Sequence, residues 1–141
     1  MTRRSILLAL AAAPLRGADP AEQVWEVLTG MAASLSASDA PGFLHAFDSS
    51  MKGYEDLRAA VTGLVAEAEV ESTIDPVENT GDDQNRTLQV SWALRLISRS
   101  ELQKVTDRQT TVTLRLARQR GKWKVVSFDP ADLFRPSSAR M

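Results

Sequence analysis

From Pro20 onward, apolar positions recur at helical spacing: Val24, Leu28, Met31 and Leu35 are four, three and four residues apart, which is one face of an α-helix. Asp19 ahead of Pro20 predicts an N-cap with proline in the first turn, and Ser36-Ala37-Ser38 predicts the end. Asp39 and Pro41 repeat the start signal for a short second helix, which turns Phe43, Leu44 and Phe47 inward and stops near Asp48-Ser49-Ser50. A third helix opens at Tyr54, carries the stripe Leu57, Val61, Leu64 and Val65, and runs out near Ala68.

Beyond Ala68 the period changes from helical to alternating, the signature of strands. Val70, Ser72 and Ile74 alternate with Glu71, Thr73 and Asp75 as far as Pro76, and Thr80-Gly81-Asp82-Asp83 has turn composition. The run Thr87 to Ile97 is a strand with Leu88, Val90, Trp92, Leu94 and Leu96 on one face. A polar link from Ser98 to about Lys104 leads to a strand from Thr106 to Arg118, where Val112, Leu114 and Leu116 share a face. Arg120-Gly121 reverses the chain into Lys122 to Phe128, which Asp129-Pro130 closes. The opposite faces carry Ala93, Ile97, Ala117, Val126 and Phe128, more apolar side chains than a solvated face needs, and so predict a homodimer through the outer face of the sheet.

The first eighteen residues read as an address. Thr2-Arg3-Arg4 precedes the uncharged run from Ser5 to Leu15, shorter than the roughly 20 apolar residues of a membrane span, so the expectation is an export signal rather than a transmembrane anchor. Thr2-Arg3-Arg4-Ser5-Ile6-Leu7 also fits the twin-arginine pattern, and the general secretory route stays open beside it. Cleavage near Ala18 places residues 19–136 in an exported, periplasmic or extracellular bacterial domain, with 137–141 as a flexible tail. The full chain has 17 Lys and Arg against 18 Asp and Glu, and losing Arg3, Arg4 and Arg16 makes the remainder mildly acidic. That balance argues against nucleic acid as a partner; the basic group Arg115, Arg118, Arg120, Lys122 and Lys124 around Trp123 reads as a solvated hairpin tip. With no cysteine, disulfide and thiolate chemistry is excluded, and a single histidine leaves little room for metal sites or triads. The chain contains no phosphate-binding glycine loop, metal-ligand spacing or nucleophile elbow, so neither metal nor cofactor is expected. Asn85-Arg86-Thr87 matches a glycosylation sequon, a pattern frequent by chance.

Three helices followed by four meandering antiparallel strands predict an α+β domain, a cone of three N-terminal helices packed on a curved sheet. The order resembles the nuclear transport factor 2-like superfamily, which includes SnoaL-like and ketosteroid isomerase-like proteins. The residues that carry the resemblance are Val24-Trp25 with Leu28, Asp39-Ala40-Pro41-Gly42-Phe43, Tyr54-Glu55-Asp56-Leu57, Gly121-Lys122-Trp123-Lys124-Val125-Val126 and Asp132-Leu133-Phe134-Arg135-Pro136. It spans nearly all of residues 20–136 and rests on layout and apolar spacing. It implies a cone whose sheet and helices enclose an apolar pocket, and pairing through the outer face of the sheet.

On that reading Trp25, Phe43, Phe47, Tyr54, Val90, Trp92, Leu94, Leu114 and Trp123 are the candidate wall of a pocket for an apolar small molecule, or else simply fill the cone. The resemblance raises acid/base catalysis, which isomerase-like members perform with an Asp base and hydrogen-bond donors in apolar surroundings. The inward strand positions hold no Asp, Glu or His, a departure from that pattern. Tyr54, Asp48 and His45 are the remaining catalytic candidates, each with a plainer reading as boundary residue, helix end and surface residue. Two functional classes follow: a non-catalytic exported domain that binds an apolar ligand or a protein partner as a dimer, and a small SnoaL-like or isomerase-like enzyme acting on a hydrophobic carbonyl or polyketide-like substrate.

Overall fold

The computed structural model describes residues 19–100 and 103–136; the segments expected to be an export signal, 1–18, and a tail, 137–141, lie outside the described residues. Helix α1 spans Pro20–Ser36, with the Asp19 carboxylate accepting the Glu22 N–H at 2.8 Å and Pro20 at its first position, where no N–H is needed. Its buried face is Val24, Leu28, Met31, Ala32 and Leu35. Helix α2, Ala40–Leu44, repeats the device with Asp39 accepting from Gly42 N at 2.9 Å. It is shorter than the spacing predicts, because Phe47 leaves the helix to bridge Val125 in parallel, with Asp48 N donating to Val125 O at 2.9 Å and Val125 N to Ala46 O at 2.8 Å. Phe47 still points inward and is 4% exposed. Helix α3, Tyr54–Glu67, starts from Gly53 at φ 84°, a left-handed conformation that glycine adopts without steric cost.

The strands β1 (Ala68–Gly81), β2 (Asn85–Ser98), β3 (Val105–Gln119) and β4 (Lys122–Asp129) form one antiparallel meander in the order β1-β2-β3-β4. Its inner face packs on the helices and buries Leu88, Val90, Trp92, Leu94, Leu96, Val112, Leu114, Leu116, Trp123 and Val125, as the alternation predicts. At the first hairpin the Asp82 carboxylate accepts the N–H groups of Gln84 and Asn85, each at 2.9 Å, and these bonds hold its pKa below the ordinary value. At the last, Arg120 and Gly121 both take positive φ, 55° and 80°, the backbone that a two-residue hairpin turn requires.

Two register shifts depart from simple alternation. β1 continues past Pro76, where the alternation predicts its end; on an edge strand a missing N–H is tolerated, and the shift between Pro76 and Glu78 leaves Val77 as the extra residue, 58% exposed. The second shift corrects an expectation about Phe128. Arg115 pairs with Ser127 but Leu116 pairs with Val125, so Val126 is the extra residue and Phe128 comes round to the inner face. After β4 a short 3-10 turn, Asp132–Phe134, buries Leu133 and Phe134. Pro136 then lies so close to α3 that a Cβ on Gly63 would sit 3.0 Å from its Cγ.

Candidate functional site

The helices and the inner face of the sheet converge on five aromatic rings: Phe43 from α2, Phe47 from the bridge to β4, Trp92 from β2, Phe128 from β4 and Phe134 from the 3-10 turn. Phe43 lies 5.2 Å from Phe47, 5.1 Å from Phe134 and 6.3 Å from Trp92. Phe128 lies 5.8 Å from Phe47 and from Trp92, and 5.4 Å from Phe134. Trp92 and Phe134 meet at 5.6 Å and 89°, an edge-to-face pair that sets ring hydrogens against a π-face. Trp92, Phe43 and Phe134 have no exposed surface. The Trp92 indole N–H donates to Ser72 Oγ at 2.9 Å, so the buried ring leaves no donor unsatisfied.

Of the other residues expected to line a pocket, Val90, Leu94 and Leu114 are buried on the inner face of the sheet. Trp123 lies at the other end of the sheet, where its indole N–H donates to Gln23 Oε1 at 2.9 Å and the Arg118 guanidinium covers its ring at 4.8 Å. Trp25 is half-buried on α1, and Tyr54 is half-buried at the start of α3.

Tyr54 and His45 come together, but at the surface. They line a groove of about 450 Å³ between α2 and α3, with Pro41, Leu44 and Arg58. His45 is exposed, and its backbone carbonyl accepts Lys124 Nζ at 2.6 Å. Arg58 is already paired with Glu55 at 2.7 Å. Asp48 is absent from that groove. Its carboxylate accepts Gln119 Nε2 at 2.9 Å, Ser50 N at 2.8 Å and Ser50 Oγ at 2.7 Å. Led by the Gln119 bond, these donors lower its pKa to about 2. A carboxylate stabilised in this way is a poor proton acceptor near neutrality.

The described inner strand positions contain no Asp, Glu or His, yet three arginines occupy their ends. Arg86 donates to Asn79 Oδ1 at 2.9 Å and Asn79 O at 3.1 Å, and Arg118 donates to Gln23 Oε1 at 2.7 Å and Asp83 O at 3.0 Å. Arg108, opposite Leu94, sends one nitrogen, Nη1, to the carbonyl oxygens of Leu133 at 2.7 Å and Arg135 at 2.6 Å. Arg108 and Phe134 are absent from the sequence-based set. Counting back in twos from Val112 reaches Thr110 and Arg108, so that signal was present; Phe134 lies in a turn and has no periodicity to mark it.

No family model matches the chain, and no curated protein is similar to it in sequence. Solved structures are similar in fold. A conserved protein from Planctomyces limnophilus superposes with a TM-score of 0.70 at 12% identity, over 76% of this chain and 91% of that one. A nuclear transport factor 2-like superfamily protein from Salmonella enterica gives 0.65 at 11% identity, over 76% and 86%. A nuclear transport factor 2-like protein of unknown function from Shewanella oneidensis gives 0.59 at 12% identity, over 77% and 96%. The fold is therefore that of nuclear transport factor 2-like proteins, three helices on a curved antiparallel sheet.

Proposed function

We propose, for a chain with this fold, a non-catalytic role: an exported interaction domain that pairs with a second copy of itself through the outer face of its sheet. The observation that carries this reading is the inside of the cone, where five rings in mutual contact take the place of acid/base groups. Acid/base catalysis needs proton-transfer groups converging on one reacting position. Tyr54 and His45 instead line a surface groove, and Asp48 is engaged by Ser50 and Gln119.

The outer face suits a copy of itself. Its centre carries the small or uncharged side chains of Ser91, Ala93, Thr111 and Thr113, and Val105 is 53% exposed at one end. β1 contributes the exposed acids Glu69, Glu71 and Asp75, whereas β3 and β4 contribute Arg115 and Lys122. A two-fold axis through the centre of the sheet sets the acidic edge of one copy over the basic edge of the other. Export rests on Thr2-Arg3-Arg4 and the uncharged run behind it.

The test is sedimentation of the protein recovered from the periplasm after expression of the full chain in a bacterium. The expected species is a dimer trimmed near Ala18 that dissociates as salt rises or when Thr111→Arg places a charge at its centre. A monomer at all concentrations overturns the pairing, and an uncleaved cytoplasmic chain overturns export. The enzyme reading draws on the groove that joins Tyr54 and His45, and makes Tyr54→Phe and His45→Gln its decisive variants.

A further inference from the structure

The 3-10 turn Asp132–Phe134 delivers two kinds of group to one place. Its Phe134 ring enters the aromatic cluster, 5.1 Å from Phe43, 5.4 Å from Phe128 and 5.6 Å from Trp92. On either side of that ring, the carbonyl oxygens of Leu133 and Arg135 converge on Arg108 Nη1 at 2.7 and 2.6 Å. A ring in an aromatic cage with two oxygens on a guanidinium is the outline of an aromatic carboxylate. We propose that this turn acts as an intramolecular stand-in, and that when it swings out the vacated site binds an aromatic carboxylate, with the ring against Phe43, Trp92 and Phe128 and the carboxylate on Arg108.

The parts divide cleanly between what stays and what leaves. Arg108, Trp92 and Phe128 belong to strands and Phe43 to a helix, so the receptor half is built on regular hydrogen-bonded elements. The turn pairs with no strand. Its own backbone bonds are Phe134 N to Ala131 O and Arg135 N to Asp132 O, both 3.1 Å, and its flanking Asp132 and Arg135 are exposed and paired with each other at 3.4 Å. A groove of about 460 Å³, lined by Arg108, Thr110, Pro130, Asp132 and Leu133, already follows the seam between β3 and the turn, and gives an incoming ligand a route to the guanidinium. Charge supplies the competition. A carboxylate adds a full negative charge and two coplanar oxygens that match the guanidinium fork, so an anion has an advantage that the two backbone carbonyls lack.

This inference is independent of the pairing above, since it concerns the inside of the cone and not its outer face. The probes are 3-phenylpropionate and its uncharged analogue 3-phenylpropan-1-ol, titrated by calorimetry into the wild-type full chain, Phe134→Ala and Phe134→Ala/Arg108→Gln. Phe134→Ala is expected to bind the acid at least about tenfold more tightly than either wild type binds the acid or the variant binds the alcohol. Adding Arg108→Gln is expected to abolish the preference for the acid. Equal binding of acid and alcohol to Phe134→Ala overturns the proposal, because it reports an apolar hole and no carboxylate site. Should Phe134→Ala not fold, Phe134→Leu carries the same titration. Hydrogen exchange in the wild type is the second arm: the acid is expected to speed exchange at the Phe134 and Arg135 amides while the strands stay protected. Unchanged exchange there at the highest soluble acid concentration overturns displacement of the turn.

Discussion

Trp92 is the largest of the fully buried side chains. It has no exposed surface, meets the rings of Phe43, Phe128 and Phe134, and spends its one donor on Ser72. Trp92→Ala leaves a cavity that such rings cannot collapse to fill, and is expected to cost about 3–5 kcal/mol in urea unfolding. Trp92→Phe keeps most of the volume and isolates the smaller loss of the Ser72 bond. Asp48 offers a test with pH. Its pKa is lowered to about 2 by Gln119 and Ser50, so its ionised form stabilises the folded state above the ordinary value of 3.8, and that contribution is lost as pH falls from there toward 2. Asp48→Asn should therefore flatten the acid limb of stability in that window and leave the neutral limb with a constant offset, measured as denaturation midpoint against pH. Neither role can be read from composition: an aspartate near a helix end shows where the helix stops, but Gln119 is 71 positions away.

At the scale of elements, local chemistry accounts for most boundaries. Asp19 caps α1, and Asp19→Ala is expected to cost about 1 kcal/mol, read as the loss of helical signal on heating. Gly81 sits at φ 138°, and a Cβ there would run into the backbone carbonyl of Asn85. Gly81→Ala is expected to cost about 1–3 kcal/mol, by a lower denaturation midpoint with little change in slope. The helical stripes, the alternating strands and the hairpin turns were legible because each depends on residues three or four positions apart at most. The departures are bulges. Whether Val126 doubles up opposite β3 depends on what Leu116 and Arg115 pair with across the sheet, and that choice turned Phe128 from the outer face to the core.

Across the whole molecule, distant segments are tied by a few shared acceptors. Gln23 Oε1 on α1 receives both Arg118 Nη2 at 2.7 Å and Trp123 Nε1 at 2.9 Å, which fastens the β3–β4 hairpin to the first helix. A double-mutant cycle between Gln23→Ala and Trp123→Phe is expected to show a coupling of about 0.5–3 kcal/mol, against near-additivity for Gln23→Ala with Asp48→Asn. Arg108 plays a comparable part at the other end of the sheet, where it holds the C-terminal turn over the rings. Among the described residues no helix is long and apolar enough to cross a membrane, and no cluster of His, Asp or Glu could hold a metal ion.

Periodicity, caps and turn residues determined the α+β class, the order of elements, the inward set from Leu88 to Val125 and the absence of acids from the inner sheet, because each follows from neighbours along the chain. Only the tertiary structure decided that Phe128 and Phe134 join Phe43, Phe47 and Trp92, that His45 and Tyr54 share a groove without Asp48, and that Arg108 clasps the C-terminal turn. Those are meetings between residues far apart in sequence. They are settled by register shifts and by which ring fits against which, and a pattern of polar and apolar positions does not record either.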